Sequence, residues 1–307
     1  MRDSVKIIAL VGPTASGKTG IAVQLAQILN GEVISADSRL IYKDFNIGTA
    51  KPTIEEMENI PHHMIDVADP KDTYTVGLYK EQAEAVIDDI IGRGKVPIVA
   101  GGTGFYTKAL LAGLDMPKVE PDEEFRQELD EFASLHGREA LHNRLKEIDP
   151  VMAEKLHYND KFRIIRALEV HKALGIPMSE AQKLKPPKYD VLYIGLNAQD
   201  REYLYGRVNK RVDIMIEQGL VEEVKNLINK YGKTVSLLKT LGYKEICEYI
   251  DGILSLEDSI ELIKKDTRNF AKRQLTWFRA NPEINWFYID KMSGEQICKE
   301  IIKLYNV

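Results

Sequence analysis

The stretch LVGPTASGKTG, Leu10–Gly20, decides how this chain is read. It joins an apolar run, VKIIALV (5–11), to a helical one, KTGIAVQLAQIL (18–29). The spacing is G-x-x-x-x-G-K-T: Gly12, Gly17, Lys18 and Thr19. A strand–loop–helix with that spacing curls its backbone N–H groups around a di- or triphosphate. Thr14, Ala15 and Ser16 form the turn, Lys18 adds a mobile positive charge, and the Thr19 hydroxyl suits Mg²⁺. The helix that begins here turns the positive end of its dipole to the same place. The loop leaves the chemistry open, because kinases, NTPases and some transferases share it.

Working outward, EVISAD (32–37), HMIDV (63–67) and VPIVAG (96–101) read as further strands, and helical periodicity covers 18–29, about 76–92 and 104–112. Such alternation predicts an α/β fold, a P-loop parallel sheet with helices on both faces. VLYIGLN (191–197) and INWFYID (284–290) return near the end to rejoin the sheet. Between about 118 and 186 there is no strand signal. DEEFRQELDEFASL, GREALHNRLKEI, PVMAEKL and DKFRIIRALEVHKAL are helical, bounded by turn-rich MPKVEPD and KLKPPKYD. The expected organisation is a P-loop catalytic core, 1–117 and 187–307, with an inserted all-helical domain, 118–186.

The length of 307 residues suggests about two domains, at ~150 residues per domain, and 44 % hydrophobic and 29 % charged content fits a globular protein with a sizeable core. MRDSVKIIALVG turns polar too soon for a signal peptide. No run of ~18 apolar residues offers a membrane span; the chain is expected to be cytoplasmic and monomeric. Cys247 and Cys298 lie far apart in helical patterns and read as buried free thiols. No C-x-x-C implies zinc. The net charge of −5 argues weakly against nucleic acid, but it is unevenly spread. DMPKVEPDEEFRQELDE (115–131) is acidic, whereas KKDTRNFAKRQLTWFR (264–279) carries six basic residues against one acid, Asp266. One face can therefore meet a polyanion.

Few residues are placed for chemistry. Asp37 ends the strand EVISAD near the loop mouth, as a solvated turn residue, a Mg²⁺ ligand or a general base. VAGGTGFY (99–106) ends its strand in glycines with no Walker-B acid, and no N-K-x-D follows, which disfavours a motor or switch GTPase. Thr103 then offers a hydroxyl at a helix start, as a substrate contact or an N-cap. Arg207 and Arg211, four apart on a helix, suit a diphosphate or an exposed face paired with Asp213 or Glu217. Arg163 and Arg166 share the insertion's longest helix, and Arg268, Lys272 and Arg279 make a basic stripe near Trp277 and Phe278. His62 and His63 lack a third metal ligand and read as a structural or substrate-lining corner.

GPTASGKT (12–19), ADSRLIYKDFNIGTAKP (36–52), PHHMIDV (61–67), GGTGFY (101–106), RIIRALEV (163–170), GYKEI (242–246) and TRNFAKRQLTWFR (267–279) occur together, in this order. From about Val5 to Arg279 the chain thereby resembles the tRNA dimethylallyltransferases, also called tRNA isopentenyltransferases, in their bacterial form without a C-terminal zinc finger. The resemblance implies that the loop holds dimethylallyl diphosphate with Mg²⁺ on Thr19. The dimethylallyl group would pass to N6 of the adenosine just 3′ of the anticodon, and diphosphate would leave. It implies Asp37 as general base, Thr103 near the reaction centre, and Arg211, with Arg207, on the diphosphate. It turns Asp37, Ser38, Arg39 and Leu40, Thr103, Arg126, and Phe162, Arg163, Ile164, Ile165 and Arg166 to the tRNA, with Arg268 and Lys272 as the basic face. Phe162 departs from the Gln or Arg of many relatives, and the resemblance does not carry a base contact over to it.

Three other readings share these residues. A P-loop small-molecule kinase predicts ATP turnover and no RNA affinity. A prenyltransferase acting on free adenine nucleotides needs no tRNA-sized basic face. An RNA-binding module with a relict loop predicts binding without turnover.

Overall fold

The computed structural model describes residues 6–114, 116–182 and 185–306. Val5 of the first expected strand, Asp115 of the acidic stretch, and Lys183 and Leu184 of the flank after the insertion lie outside the described residues. The strands are β1 (Lys6–Val11), β2 (Gly31–Ser35), β3 (His62–His63), β4 (Val96–Gly101), β5 (Asp190–Asn197) and β6 (Asn285–Tyr288). They form one parallel sheet in the order β3-β2-β4-β1-β5-β6.

Helices alternate with the strands: α1 (Lys18–Leu29), α2 (Ile54–Met57), α3 (Val76–Gly92) and α4 (Gly104–Leu111). Five follow with no strand among them: α5 (Glu123–His136), α6 (Arg138–Ile148), α7 (Pro150–Lys155), α8 (Lys161–Leu174) and α9 (Met178–Ala181). After β5 come α10 (Arg201–Glu217), α11 (Leu220–Tyr231), α12 (Tyr243–Ile250) and α13 (Leu256–Arg279), and after β6 comes α14 (Gly294–Tyr305).

Two compact units result: one of the chain up to Leu111 and from Tyr189 onward, the other Ala112–Lys188. In the first, alternate residues of each strand point to opposite faces of the sheet. Ile7, Ala9, Ile34 and Val99 pack with Ile87 and Ile90 of α3 and Leu110 of α4. Ile8, Leu10, Ile98, Ile194 and Leu196 pack with Ile21 and Leu25 of α1 and with Ile297 and Ile301 of α14. Both sheet faces are covered, as an all-parallel sheet requires. A separate apolar cluster joins α10 to α13 through Val212, Leu220, Val224, Ile246 and Ile263. The second unit closes on Leu129, Leu141, Leu145, Ile164 and Leu168. Cys298 is buried and Cys247 half-buried, both as free thiols.

β3 is shorter than the apolar run HMIDV suggests. Met64 (φ 62°) and Asp66 (φ 56°) take the left-handed conformation, which ends any strand. β2 stops at Ser35, so Asp37 stands in the following turn. The register aligns Val11 with Gly101 and Ser35 with Ala100. The loops after β1, β2 and β4 therefore leave one edge of the sheet together.

Candidate active site

The loop after β1 is shaped by residues that few others can replace. A Cβ on Gly12 would overlap the carbonyl oxygen of Leu196. Ala15 (φ 62°) and Gly17 (φ 82°) are left-handed and bend the chain back on itself. Gly17 caps α1 and has no side chain to do so, leaving the first-turn N–H groups to an anionic ligand. Ser16 is fully buried and Thr19 is exposed at the mouth. The Lys18 amine curls over the loop and donates to the carbonyls of Gly12 (3.0 Å) and Pro13 (2.7 Å).

α10 brings two arginines to this loop. Arg207 Nε donates to the Ala15 carbonyl at 2.7 Å. Arg211, one turn later and half-buried, acts directly on Lys18. Burial, and next the Arg211 charge, pull the Lys18 amine down from its usual 10.5 to about 7, with Asp37 opposing them. Burial likewise lowers the Arg211 pKa, again against Asp37. Three cations and one carboxylate thus share a neighbourhood whose unmet requirement is an anion.

The Asp37 turn is held from several sides. The Ala36 N–H donates to Ala100 at 2.8 Å, and the Ala36 carbonyl accepts the Thr103 N–H at 3.1 Å. The Thr103 hydroxyl accepts the Ser38 N–H at 3.0 Å, and Asp37 Oδ1 accepts the Arg39 N–H at 2.9 Å. A Cβ on Gly101 would strike Ala36, which explains a strand ending in glycine. Farther along, the Glu223 carboxylate accepts the N–H groups of Asn46 (3.1 Å), Ile47 (2.8 Å) and Gly48 (3.1 Å) and the Tyr243 hydroxyl (2.8 Å). The motifs NIGTAKP and GYKEI, nearly 200 residues apart in sequence, meet at this carboxylate.

Sequence reasoning missed Gln274. Its amide oxygen accepts the Thr14 N–H at 2.8 Å and its amide nitrogen donates to the Gly102 carbonyl at 2.9 Å. The signal was a glutamine on the buried face of α13, between Ala271 and Phe278.

On the outer side of α13, Lys272 and Arg279 are exposed, whereas Arg268 donates to Asn209 Oδ1 at 2.7 Å. His63 Nε2 lies 2.7 Å from the buried Glu32, which also accepts from Arg93 and Lys95, and His62 Nδ1 lies 2.9 Å from the Ile60 carbonyl. Glu32 is near the start of β2, at the end of the sheet away from the loops, so the two histidines form a structural corner. Among the described residues no cluster of three or more His, Cys, Asp or Glu is arranged for a metal.

Within Ala112–Lys188, the expected RNA-facing residues divide. Phe162 is 74 % exposed and Arg163 is exposed, paired with Asp160. The Ile164 side chain is fully buried in the core of this unit and Ile165 nearly so, packing as apolar side chains while their helix carries Phe162 and Arg163 outward. They lie on the apolar side of α8. Arg126 and Arg166 both turn to the buried Glu169. Arg126 donates to it at 2.8 and 3.0 Å, and Arg166 bonds it and the Val119 carbonyl. A shallow pocket lined by Arg126, Asp130, Lys161, Phe162, Ile165 and Arg166 remains beside them.

Residues 40–281 match the family model described as IPP transferase, and residues 5–69 match that of isopentenyl transferase. A tRNA dimethylallyltransferase of Caldanaerobacter subterraneus subsp. tengcongensis is 47 % identical over 98 % of both chains. One from Carboxydothermus hydrogenoformans is 47 % identical over 97 % of both. Among solved structures, the tRNA isopentenylpyrophosphate transferase of Bacillus halodurans is 40 % identical, with a TM-score of 0.72 over 98 % of this chain and 97 % of that one. A eukaryotic dimethylallyltransferase crystallised acting on tRNA is 31 % identical, with a TM-score of 0.85 over 99 % of this chain and 79 % of that one.

Proposed function

The chain belongs to the IPP transferase family, and from that premise we infer that it moves a dimethylallyl group from dimethylallyl diphosphate to N6 of the adenosine 3′-adjacent to the anticodon of tRNA. The observation that carries the reading is the gathering of Lys18, Arg207 and Arg211 on the glycine loop, with Asp37 beside them and Thr103 hydrogen-bonded to its turn.

The reaction forms a bond between N6 and the terminal carbon of the dimethylallyl group. The carbon–oxygen bond to the diphosphate breaks, and its electron pair leaves with that group. The N6 lone pair is delocalised into the ring and attacks poorly. Asp37 takes the N6 proton as the new bond forms, a contribution of roughly 10²–10⁴-fold for such a base. Loop N–H groups, Lys18 and Arg211 stabilise negative charge where it develops on the leaving oxygens. Diphosphate displaces the Lys18 amine from the Gly12 and Pro13 carbonyls and restores its full charge.

This is a family of enzymes for which a divalent ion is expected, and Mg²⁺ is the ion we assign. The donor set fits it. Mg²⁺ favours substrate phosphates, waters and one or two protein oxygens over an all-protein cage, and the exposed Thr19 hydroxyl is such an oxygen. When bound, it would neutralise phosphate charge.

The target base stacks in the anticodon loop and must leave the stack to be modified. Ser38, Arg39, Leu40 and Thr103 surround Asp37 and are assigned to that base and its neighbours. Arg163, Phe162 and the exposed parts of Arg126 and Arg166, with Lys272 and Arg268, are assigned to the surrounding RNA. Among the described residues no helix is long and apolar enough to cross a membrane. Purified protein, labelled dimethylallyl diphosphate and unmodified tRNA test the reading. Label transfer to tRNA is expected. Phosphoryl transfer from ATP without any prenyl transfer would point instead to a kinase.

A further inference from the structure

Gln274 is 7 % exposed and sits on the face of α13 that also buries Ala271 and Phe278. A long polar side chain at such a position demands partners, and both ends of its amide have them. The oxygen accepts the Thr14 N–H at 2.8 Å and the nitrogen donates to the Gly102 carbonyl at 2.9 Å. Both partners are backbone groups of fixed polarity, so the amide has one orientation that satisfies both. A Cβ on Gly102 would strike the Gln274 amide, and one on Gly104 would overlap the Trp277 indole, one turn further along the same helix. Thr103 is thus bracketed: Gly102 is held by Gln274 and Gly104 is packed against Trp277.

Resting on the function proposed above, we propose that Gln274 is a positioning residue, which fixes the distance between the phosphate-binding loop and the loop carrying Thr103. The first holds the leaving group. The second hangs the Asp37 turn through Thr103 and Ser38. The line from leaving oxygen to reacting carbon to N6 needs both halves in register, and misplacement by about 1 Å is worth up to ~10²-fold in rate. A single amide spans the two halves. The helix that supplies it also carries the exposed Lys272 and Arg279 on its outer side.

Two variants test this. Gln274→Met keeps length and removes both hydrogen bonds. It is expected to lower kcat about 10- to 100-fold. KM for dimethylallyl diphosphate should change less than about threefold, because the loop N–H groups and Lys18 remain. Gln274→Glu offers the same acceptor and, when protonated, an O–H donor for Gly102. Its activity relative to wild type should therefore rise as pH falls from 8 to 6, whereas the Gln274→Met ratio stays flat. A packing role alone would lower Tm without this pH dependence. At pH 8, amide exchange in residues 101–104 should quicken in both variants, and exchange at Thr14 should quicken in Gln274→Met, which offers no acceptor, but not in Gln274→Glu. Wild-type kcat in Gln274→Met, or a flat pH ratio for Gln274→Glu with unchanged exchange, would overturn the assignment. A wild-type protein that transfers nothing to tRNA would overturn the proposed function instead, and the exchange rates would still decide whether Gln274 holds the two loops.

Discussion

The hydroxyl of Thr103 accepts the backbone N–H of Ser38 at 3.0 Å and lies 3.3 Å from the Ser38 hydroxyl. The residue after Asp37 is thereby tied to the loop after β4, and the carboxylate is oriented from outside its own turn. Asp37→Asn keeps the shape and cannot accept a proton. It should lower kcat by roughly 10²–10⁴-fold and leave donor affinity near wild type. Retention of kcat within a few-fold would remove Asp37 as the base, and loss of Mg²⁺-dependent donor binding would make it a metal ligand.

Lys18 titrates near neutral pH when the loop is empty, lowered to about 7 by burial and by Arg211. The bound diphosphate favours the charged amine. Donor binding at pH 8 should therefore take up a proton, and affinity should fall by up to about tenfold per pH unit above 7. Calorimetry in buffers of different ionisation enthalpy measures the uptake. Lys18→Arg, always charged, should show none. The folded pKa lies below the usual 10.5, so the unfolded chain holds more protons between those values. Stability of the unliganded protein from this group therefore rises with pH across that window and is lowest at and below pH 7.

The sequence made the sheet legible because buried parallel strands are near-continuous apolar runs, and β1, β4 and β5 are such runs. It overstated β3 because apolarity does not report backbone handedness at Met64 and Asp66. The phosphate loop was legible because its spacing is local. Gln274 was not, since its partners Thr14 and Gly102 are 260 and 172 residues away. The pairing of Arg126 and Arg166 with Glu169 was equally hidden. A charge pattern on one helix looks the same whether its partner is solvent, RNA or a buried acid.

Arg268 and Lys272 bear on RNA affinity in different ways, one bonded to Asn209 and the other exposed. The double change Arg268→Ala with Lys272→Ala should weaken tRNA binding and reduce its salt slope by up to ~2, with donor binding unchanged. An unaltered slope in a filter-binding titration across salt would assign the stripe to helix packing.

Glu169 is a stability determinant of its own unit. Burial pushes its carboxyl up, but Arg126, the Asp122 N–H and Arg166 outweigh this and leave its pKa below the usual carboxylate range. Glu169→Ala strands two guanidiniums and should cost about 3 kcal/mol or more in urea unfolding of this unit. The stabilisation that Glu169 supplies is present above its unfolded pKa, near 4.5, and disappears as pH falls through the lower folded value. An acid titration followed by circular dichroism should lose this advantage in the variant.

The sheet order sets a schedule for the growing polypeptide. β1 lies between β4 and β5, yet β5 follows the helical unit Ala112–Lys188 in the chain. A ribosome that has made β4 has still to deliver about 90 residues before β5 begins, some 4–18 s at ~5–20 residues per second. Through that interval β1 presents an open, apolar edge with the register Lys6 to Val11 unfilled. Synthesis rate sets the length of that interval, so slow codons within residues 112–188 would lengthen it and appear first as nascent-chain aggregation.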